Sequence, residues 1–205
     1  MQRNQPVDNS QRNCCDDSEV PGDPRNGRPN MFKTTMCDAP CNDPLCCVAA
    51  CFCFPCSQFV LRQKVLGGDM TKYRCCQGYF DVCCFKAGCY GEESCPHLCL
   101  CCEAFCFHCL AISASRMYVM DMKGLQSDPC DRRLIRFNNC VQCLACVCSL
   151  VACITGHCRE GAHLLRLFAD CVYCSIASCM TAQVNYEMNE RFQEGNPKQQ
   201  LMSDG

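Results

Sequence analysis

The sequence predicts a mainly α-helical fold: a compact cysteine-rich helical domain organised around several zinc sites, with an extended polar N-terminal arm. Three observations predict it. Thirty of the 205 residues are cysteine, the apolar segments have helical spacing, and the first 36 residues are rich in polar residues, proline and glycine. Without cysteine, roughly a third of the chain is apolar, against a usual content of about 45–50%. Sulfur must therefore help to build the core.

The sequence divides the chain into three parts. Residues 1–36 form a polar, extended or disordered arm, because its prolines and glycines exclude a helix or a central strand. Residues 37–188 form the cysteine-rich metal-binding helical domain, and residues 189–205 form a polar tail. Turn residues bound four apolar segments with helical spacing inside the domain, over about 45–66, 96–122, 139–155 and 162–188.

The segment 96–122 is the clearest predicted helix. Its cysteines at 95, 99, 102, 106 and 109 are alternately four and three residues apart, so one continuous helix would carry them in a single stripe. Ser94 is a typical capping residue, and Pro96 is a typical first residue of a helix. We expect Cys95 and Cys99 to bind one ion together. For the later cysteines, a thiol-lined packing seam is the alternative.

The cysteines fall into four groups whose short spacings are typical of zinc sites, where four ligands surround each ion. Glycines and prolines within the groups suit ligand-bearing loops. An iron–sulfur cluster is less favoured than several zinc ions, because no compact run has ferredoxin spacing. The predicted metal ligands are Cys37, Cys41, Cys47, Cys51, Cys56, Cys75, Cys76, Cys83, Cys84, Cys89, Cys95, Cys99, Cys140, Cys143, Cys153, Cys158, Cys171 and Cys174.

Charge and hydropathy limit the partners and the location. The net charge is −2 and no basic block is present, which argues against nucleic acid as a partner. The N-terminus has no apolar run, which predicts a cytoplasmic protein with few disulfides. The run 140–155 has 16 residues, and a helix of that length measures about 24 Å against a hydrocarbon core of about 30 Å. We therefore expect buried helices, with membrane association as the alternative.

Four motifs between about residues 45 and 190 carry a family resemblance: Tyr73-Arg74-Cys75-Cys76, Gly91-Glu92-Glu93-Ser94-Cys95-Pro96 with Cys99 and Glu103, Val151-Ala152-Cys153, and Asp170-Cys171-Val172-Tyr173-Cys174 with Cys179-Met180 and Gln183. They resemble the cysteine-rich placenta-specific-8 family, especially a plant and protist branch related to the fruit-weight and cadmium-resistance proteins. The resemblance implies a small cysteine-rich fold, often membrane-associated and sometimes tied to divalent-metal handling. The chain departs from the usual Cys-Pro-Cys signature, since it reads Cys51-Phe52-Cys53-Phe54-Pro55-Cys56.

The function predicted from these features is not enzymatic. The sequence has no nucleotide-binding glycine loop and no Gly-x-Ser-x-Gly nucleophile motif, and the cysteine groups leave no open metal position for catalysis. The leading hypothesis is a zinc-binding structural or interaction component that joins protein partners in a larger assembly. The alternative is a membrane-associated protein that handles divalent metals such as zinc or cadmium. A third hypothesis, thiol redox chemistry, requires an exposed cysteine of low pKa.

Overall fold

A computed structural model describes residues 23–80, 87–89 and 91–194 of the chain, with side chains up to residue 190. It confirms a mainly α-helical, cysteine-rich fold. The strands β1 (Asn30–Met31) and β2 (Leu125–Gln126) form a short parallel pair. The α-helices in the described residues are α1 (Ala39–Asn42), α2 (Pro44–Phe52), α3 (Phe54–Val65), α4 (Pro96–Cys106), α5 (His108–Lys123), α6 (Pro129–Thr155) and α7 (Arg159–Glu194).

Proline in the first turn sets the start of most of these helices, because its fixed φ suits that position and its missing N–H costs nothing there. Two aspartates cap helices from their side chains. Asp43 accepts a hydrogen bond from the Cys46 N–H at 3.2 Å, and Asp128 accepts one from the Cys130 N–H at 2.9 Å. The predicted apolar segments are thus helical, but two of them are divided into shorter helices.

The predicted continuous stripe of cysteines on one helix is wrong. The chain leaves helical geometry at Phe107, with φ −127° and ψ 41°, and the axes of α4 and α5 differ in direction by 116°. Cys109 therefore lies on α5, whereas Cys99, Cys102 and Cys106 lie on α4. Helix α4 begins at Pro96 as predicted, although Cys95 rather than Ser94 occupies the N-cap position.

The last residues of the predicted arm belong to the core. Phe32 and Met36 are buried with Leu61, Ile112 and Val184 in the largest apolar cluster. Phe32 also lies against a charged side chain, since the guanidinium carbon of Arg116 is 4.9 Å from its ring centre. These contacts bury apolar side chains before residue 37, where the sequence places the start of the domain. At the other end, α7 continues beyond residue 188.

A buried polar network ties the first residues of α6 to α5, α7 and the N-terminal segment. The Asp131 carboxylate accepts hydrogen bonds from Arg116 Nη2 at 2.9 Å, from Gln183 Nε2 at 2.7 Å and from the Met36 N–H at 2.9 Å. Asp131 is fully buried, and Arg116 supplies the opposite charge that such a carboxylate needs. This network fixes the base of α6 and α7 against the rest of the protein.

Beyond that base, α6 and α7 run antiparallel and project from the other helices. We call residues 140–172 the hairpin and the remaining described residues the body. Gln142 donates from Nε2 to the Ala169 carbonyl at 2.7 Å and holds the two helices together where the hairpin leaves the body. Gly156, in left-handed conformation with φ 71°, ends α6 at the tip.

The expectation that these two helices are buried is wrong. Both are long and apolar enough to cross a membrane, yet only 17% of the apolar stretch of α6 and 28% of that of α7 are buried in the protein. Helix α6 begins at Pro129, well before the apolar run 140–155, so the helix as a whole is longer than the 16 residues counted from the sequence. The large apolar side chains exposed on the hairpin are Leu144, Val147, Leu150, Val151, Ile154, Leu164, Leu167 and Phe168.

Candidate metal centre

Cys75, Cys76 and Glu103 form a compact buried group. Their sulfur and carboxylate atoms all lie within 4.8 Å of one another, and each residue is at least nine-tenths buried. We call this group the Cys75 site. Spacing alone predicts the two cysteines but not Glu103, which is 27 residues further along the chain. The signal for Glu103 is that it is the one acidic residue in the otherwise apolar α4.

An unusual turn presents the two sulfurs. Cys75 begins a short 3-10 turn that ends at Gly78, and within it Cys76 and Gln77 have positive φ values of 48° and 50°. Left-handed backbone is unfavourable for residues other than glycine and persists where the surroundings hold it, often at functional sites. Two hydrogen bonds hold this turn. The Cys76 N–H donates to Glu103 Oε2 at 2.8 Å, and the Arg74 N–H donates to Gln77 Oε1 at 2.9 Å.

The Glu103 carboxylate is neutralised inside the protein. Arg62 Nη2 donates to Glu103 Oε1 at 2.8 Å, and the Tyr73 hydroxyl donates to Glu103 Oε2 at 2.8 Å. Arg62 is itself fully buried and also donates to Ser115 Oγ and to the Ala111 carbonyl, at 2.9 and 2.8 Å. Burial and the Glu103 charge raise the pKa of Tyr73, so its hydroxyl stays a hydrogen-bond donor. Glu103 is thus held in one orientation by donors on both of its carboxylate oxygens.

A second buried carboxylate lies beside the Cys75 site and is incompletely paired. Glu92 Oε1 accepts a hydrogen bond from the Cys75 N–H at 2.6 Å, whereas Glu92 Oε2 has no hydrogen-bond partner in the described part of the chain. Glu92 is 1% exposed. A buried charged oxygen without a donor is costly unless a cation or a water reaches it. The environment of Cys75 therefore favours a positively charged ligand.

The two thiols interact strongly with each other. The hydrogen bond between them lowers the pKa of Cys75 and, together with burial, raises the pKa of Cys76. Cys99 lies near enough for the charges of Glu92 and Cys75 to act on it, and burial raises the pKa of Cys99 as well. A thiol pair with nearby carboxylates is a donor set that suits a zinc ion, which favours thiolate and carboxylate ligands in tetrahedral geometry. Such an ion would stabilise both thiolates.

A second assembly of thiols lies between α2 and α7. Cys47 contacts Cys179, and Cys51 contacts Cys174. Cysteines that are more than 100 residues apart in the sequence thus meet across the two helices. Cys51 also donates to Ser178 Oγ at 3.1 Å. Burial and the nearby Cys51 raise the pKa of Cys47. Sequence spacing does not predict that these cysteines meet, because their contact depends on how α2 packs on α7.

The remaining predicted ligands have varied positions. Cys56 forms a disulfide with Cys53, so its sulfur is not a free ligand in this structure. Cys83 and Cys84 lie outside the described residues. Within the described ranges, no other three metal-binding side chains lie as close together as those of the Cys75 site. Nine predicted ligands are exposed and belong neither to the Cys75 site nor to the thiol assembly between α2 and α7: Cys37, Cys41, Cys89, Cys95, Cys140, Cys143, Cys153, Cys158 and Cys171.

Comparisons of the chain with family models, with curated proteins and with solved structures found no match. The resemblance to the placenta-specific-8 family therefore stays a prediction from sequence motifs. In the structure, members of two of these motifs meet at the Cys75 site, since Tyr73, Cys75 and Cys76 contact Glu92 and Glu103.

The buried Arg62–Glu103 pair gives a stability prediction. Replacing Arg62 with Met leaves the Glu103 charge uncompensated inside the protein, and we expect a loss of about 3–5 kcal/mol in the free energy of unfolding. Lys72→Met is the control, because the ion pair of Lys72 with Asp69 is exposed and such pairs contribute about 1 kcal/mol or less. Denaturant unfolding in detergent measures both changes. Equal losses of unfolding free energy in the two variants would contradict the conclusion that Arg62 compensates a buried Glu103 charge.

Proposed function

We propose that this chain is a non-enzymatic, membrane-associated metal-binding protein, in which the hairpin inserts into a bilayer and the Cys75 site of the body holds a divalent cation, preferably zinc. The observation that carries this proposal is the exposed apolar surface of the hairpin. Contiguous apolar patches larger than a few hundred Å² are rare on the surface of soluble monomers and mark contact sites for membranes or proteins. Lipid is favoured here because both helices of the hairpin expose large apolar side chains, eight in all.

The dimensions of the hairpin agree with this proposal. The projecting part of α6, residues 140–155, has 16 residues and a length of about 24 Å, which is about 6 Å less than the usual hydrocarbon thickness of about 30 Å. A bilayer accommodates a span of this length by thinning locally at a modest cost. Its backbone polar groups are bonded within the helices, as the interior of a bilayer requires. The tip carries His157, Arg159 and Glu160, which suit the opposite interface. Arg166 pairs with Asp170 at 3.4 Å, which offsets two charges on α7.

Aromatic contacts mark the place where the hairpin leaves the body, and exposed phenylalanines lie near these contacts in the sequence. The rings of Phe54, His108 and Tyr173 contact one another, with centres 5.3–6.4 Å apart. These contacts place the α2–α3 and α4–α5 junctions beside the start of the hairpin on α7. The exposed phenylalanines within a few residues of these junctions and of the start of the hairpin, which we call the phenylalanine collar, are Phe52, Phe105, Phe107 and Phe137. An apolar collar of this kind lets the body rest on the surface of a bilayer.

The metal part of the proposal rests on the chemistry of the Cys75 site. Cys75, Cys76 and Glu103 would hold the ion, and the unpaired Glu92 oxygen adds negative charge next to it. The ion would supply positive charge to a pocket that contains two carboxylates and one arginine. Its position under the turn that joins α3 to α4 suits an ion that stabilises the fold.

Metal analysis tests the Cys75 site. We expect the wild-type chain, purified in detergent, to hold at least one zinc ion, and the Cys75→Ser/Cys76→Ser variant to hold one ion fewer, because both thiolate ligands are removed. Cys106→Ser is the control, since Cys106 is exposed at the end of α4. Native mass spectrometry with elemental analysis measures the number and kind of ions. Equal metal content in all three chains would contradict the proposed site.

Flotation with liposomes tests the hairpin. Aspartate in the middle of a membrane helix costs about 3 kcal/mol, so we expect Leu150→Asp to lower the constant for partition into liposomes roughly 100-fold relative to the wild-type chain. Leu45→Asp is the matched control, because Leu45 is an exposed leucine of the body, outside the hairpin and at the opposite end of α2 from Phe52. It should float like the wild type. A wild-type chain that stays at the bottom of the gradient would point instead to a protein partner on the apolar surface.

A further inference from the structure

A groove of about 320 Å³ opens between α5 and α6 on the body. Apolar side chains form much of its wall, among them Met117, Ile135 and Met180. Two arginines of α6, Arg132 and Arg136, line the same groove. They are four residues apart, so that both side chains point to the same face of the helix. The groove thus combines an apolar wall with two guanidinium groups.

Among the described residues, no acidic side chain forms an ion pair with either of these two arginines. Arg25 and Arg116, which also line the groove, form ion pairs with Asp121 and Asp131 at 2.9 Å each. Asp23, the acidic residue of the lining, is paired with Arg25. By contrast, Arg132 and Arg136 have no ion-pair partner within the described ranges. The groove therefore has a net positive charge and attracts an anion.

The position of the groove relative to the hairpin indicates the source of that anion. Arg136 directly precedes Phe137 of the collar, and Arg132 lies one helical turn, about 6 Å, further from the hairpin. With the hairpin in a bilayer, both guanidinium groups reach the level of the lipid phosphates. Basic residues at this depth attract anionic lipids, and guanidinium groups bind phosphate oxygens in pairs of hydrogen bonds.

We propose that this groove binds the headgroup of an anionic phospholipid, whose phosphate contacts Arg132 and Arg136 while an acyl chain follows the apolar wall toward the collar. The proposal rests on the membrane insertion of the hairpin. It gives the protein a preference for membranes of negative surface charge, which the apolar surface of the hairpin does not provide by itself.

The test compares binding of the full-length chain to vesicles of phosphatidylcholine alone and to vesicles that also contain phosphatidylserine. We expect the wild-type chain to bind the anionic vesicles roughly tenfold more tightly, and Arg132→Gln/Arg136→Gln to lose this preference while it still floats with neutral vesicles. Lys33→Gln/Lys72→Gln is the matched control, because it removes the same charge from the body away from the groove. It should keep the preference.

Each other result contradicts the proposal in a distinguishable way. A double arginine variant that keeps the preference, or a lysine variant that loses it equally, would show that the groove is not the lipid site. A wild-type chain that binds both vesicles equally would remove the lipid preference but leave the hairpin insertion intact. A wild-type chain that binds neither vesicle would overturn the insertion and the lipid site together.

Discussion

The buried carboxylate of Glu103 is the group on which the arrangement of the body depends. It bonds to Arg62 of α3, to the Tyr73 hydroxyl and to the backbone of Cys76, which are all distant from it in sequence. Arg62 in turn contacts Ala111 and Ser115 of α5. On one straight helix, positions 103 and 115 would be about 18 Å apart along the axis. The sharp bend at Phe107 lets both of them reach Arg62.

The same network explains why the Cys75 site and the hairpin occupy different parts of the protein. Glu103 draws the turn that carries Cys75 and Cys76 against α4, where a second carboxylate, Glu92, adds negative charge. Asp131 fixes the base of α6 in a similar way, through Arg116 and Gln183. Beyond that base no polar network of this kind holds the described part of the hairpin against the body. A body with a buried anionic pocket therefore carries a projecting apolar hairpin, which is the arrangement that the proposed membrane-associated metal-binding function requires.

The sequence predicted where the helices lie, but it did not predict the break between α4 and α5, the exposure of α6 or the contacts between distant helices. Helical spacing and turn residues located the apolar segments. Cys75 and Cys76 were two of the eighteen predicted metal ligands, and the structure brings their sulfurs together with Glu103. No proline or glycine lies at Phe107 to predict the break between α4 and α5. The contacts of Arg62 with both helices hold the chain in the bent form. The exposure of α6 was missed for a related reason: periodicity shows which residues are apolar but not what covers them. Likewise, the meeting of Cys47 with Cys179 depends on helix packing.

The most direct test of the account is the environment of Leu150, and the absence of tryptophan from the chain makes it simple. A single tryptophan introduced as Leu150→Trp should have blue-shifted fluorescence in liposomes and be quenched by brominated phosphatidylcholine rather than by acrylamide. Leu45→Trp on the body, at a site that is 83% exposed, should show the reverse. If acrylamide quenches both tryptophans equally and brominated lipid quenches neither, the hairpin does not lie in the bilayer.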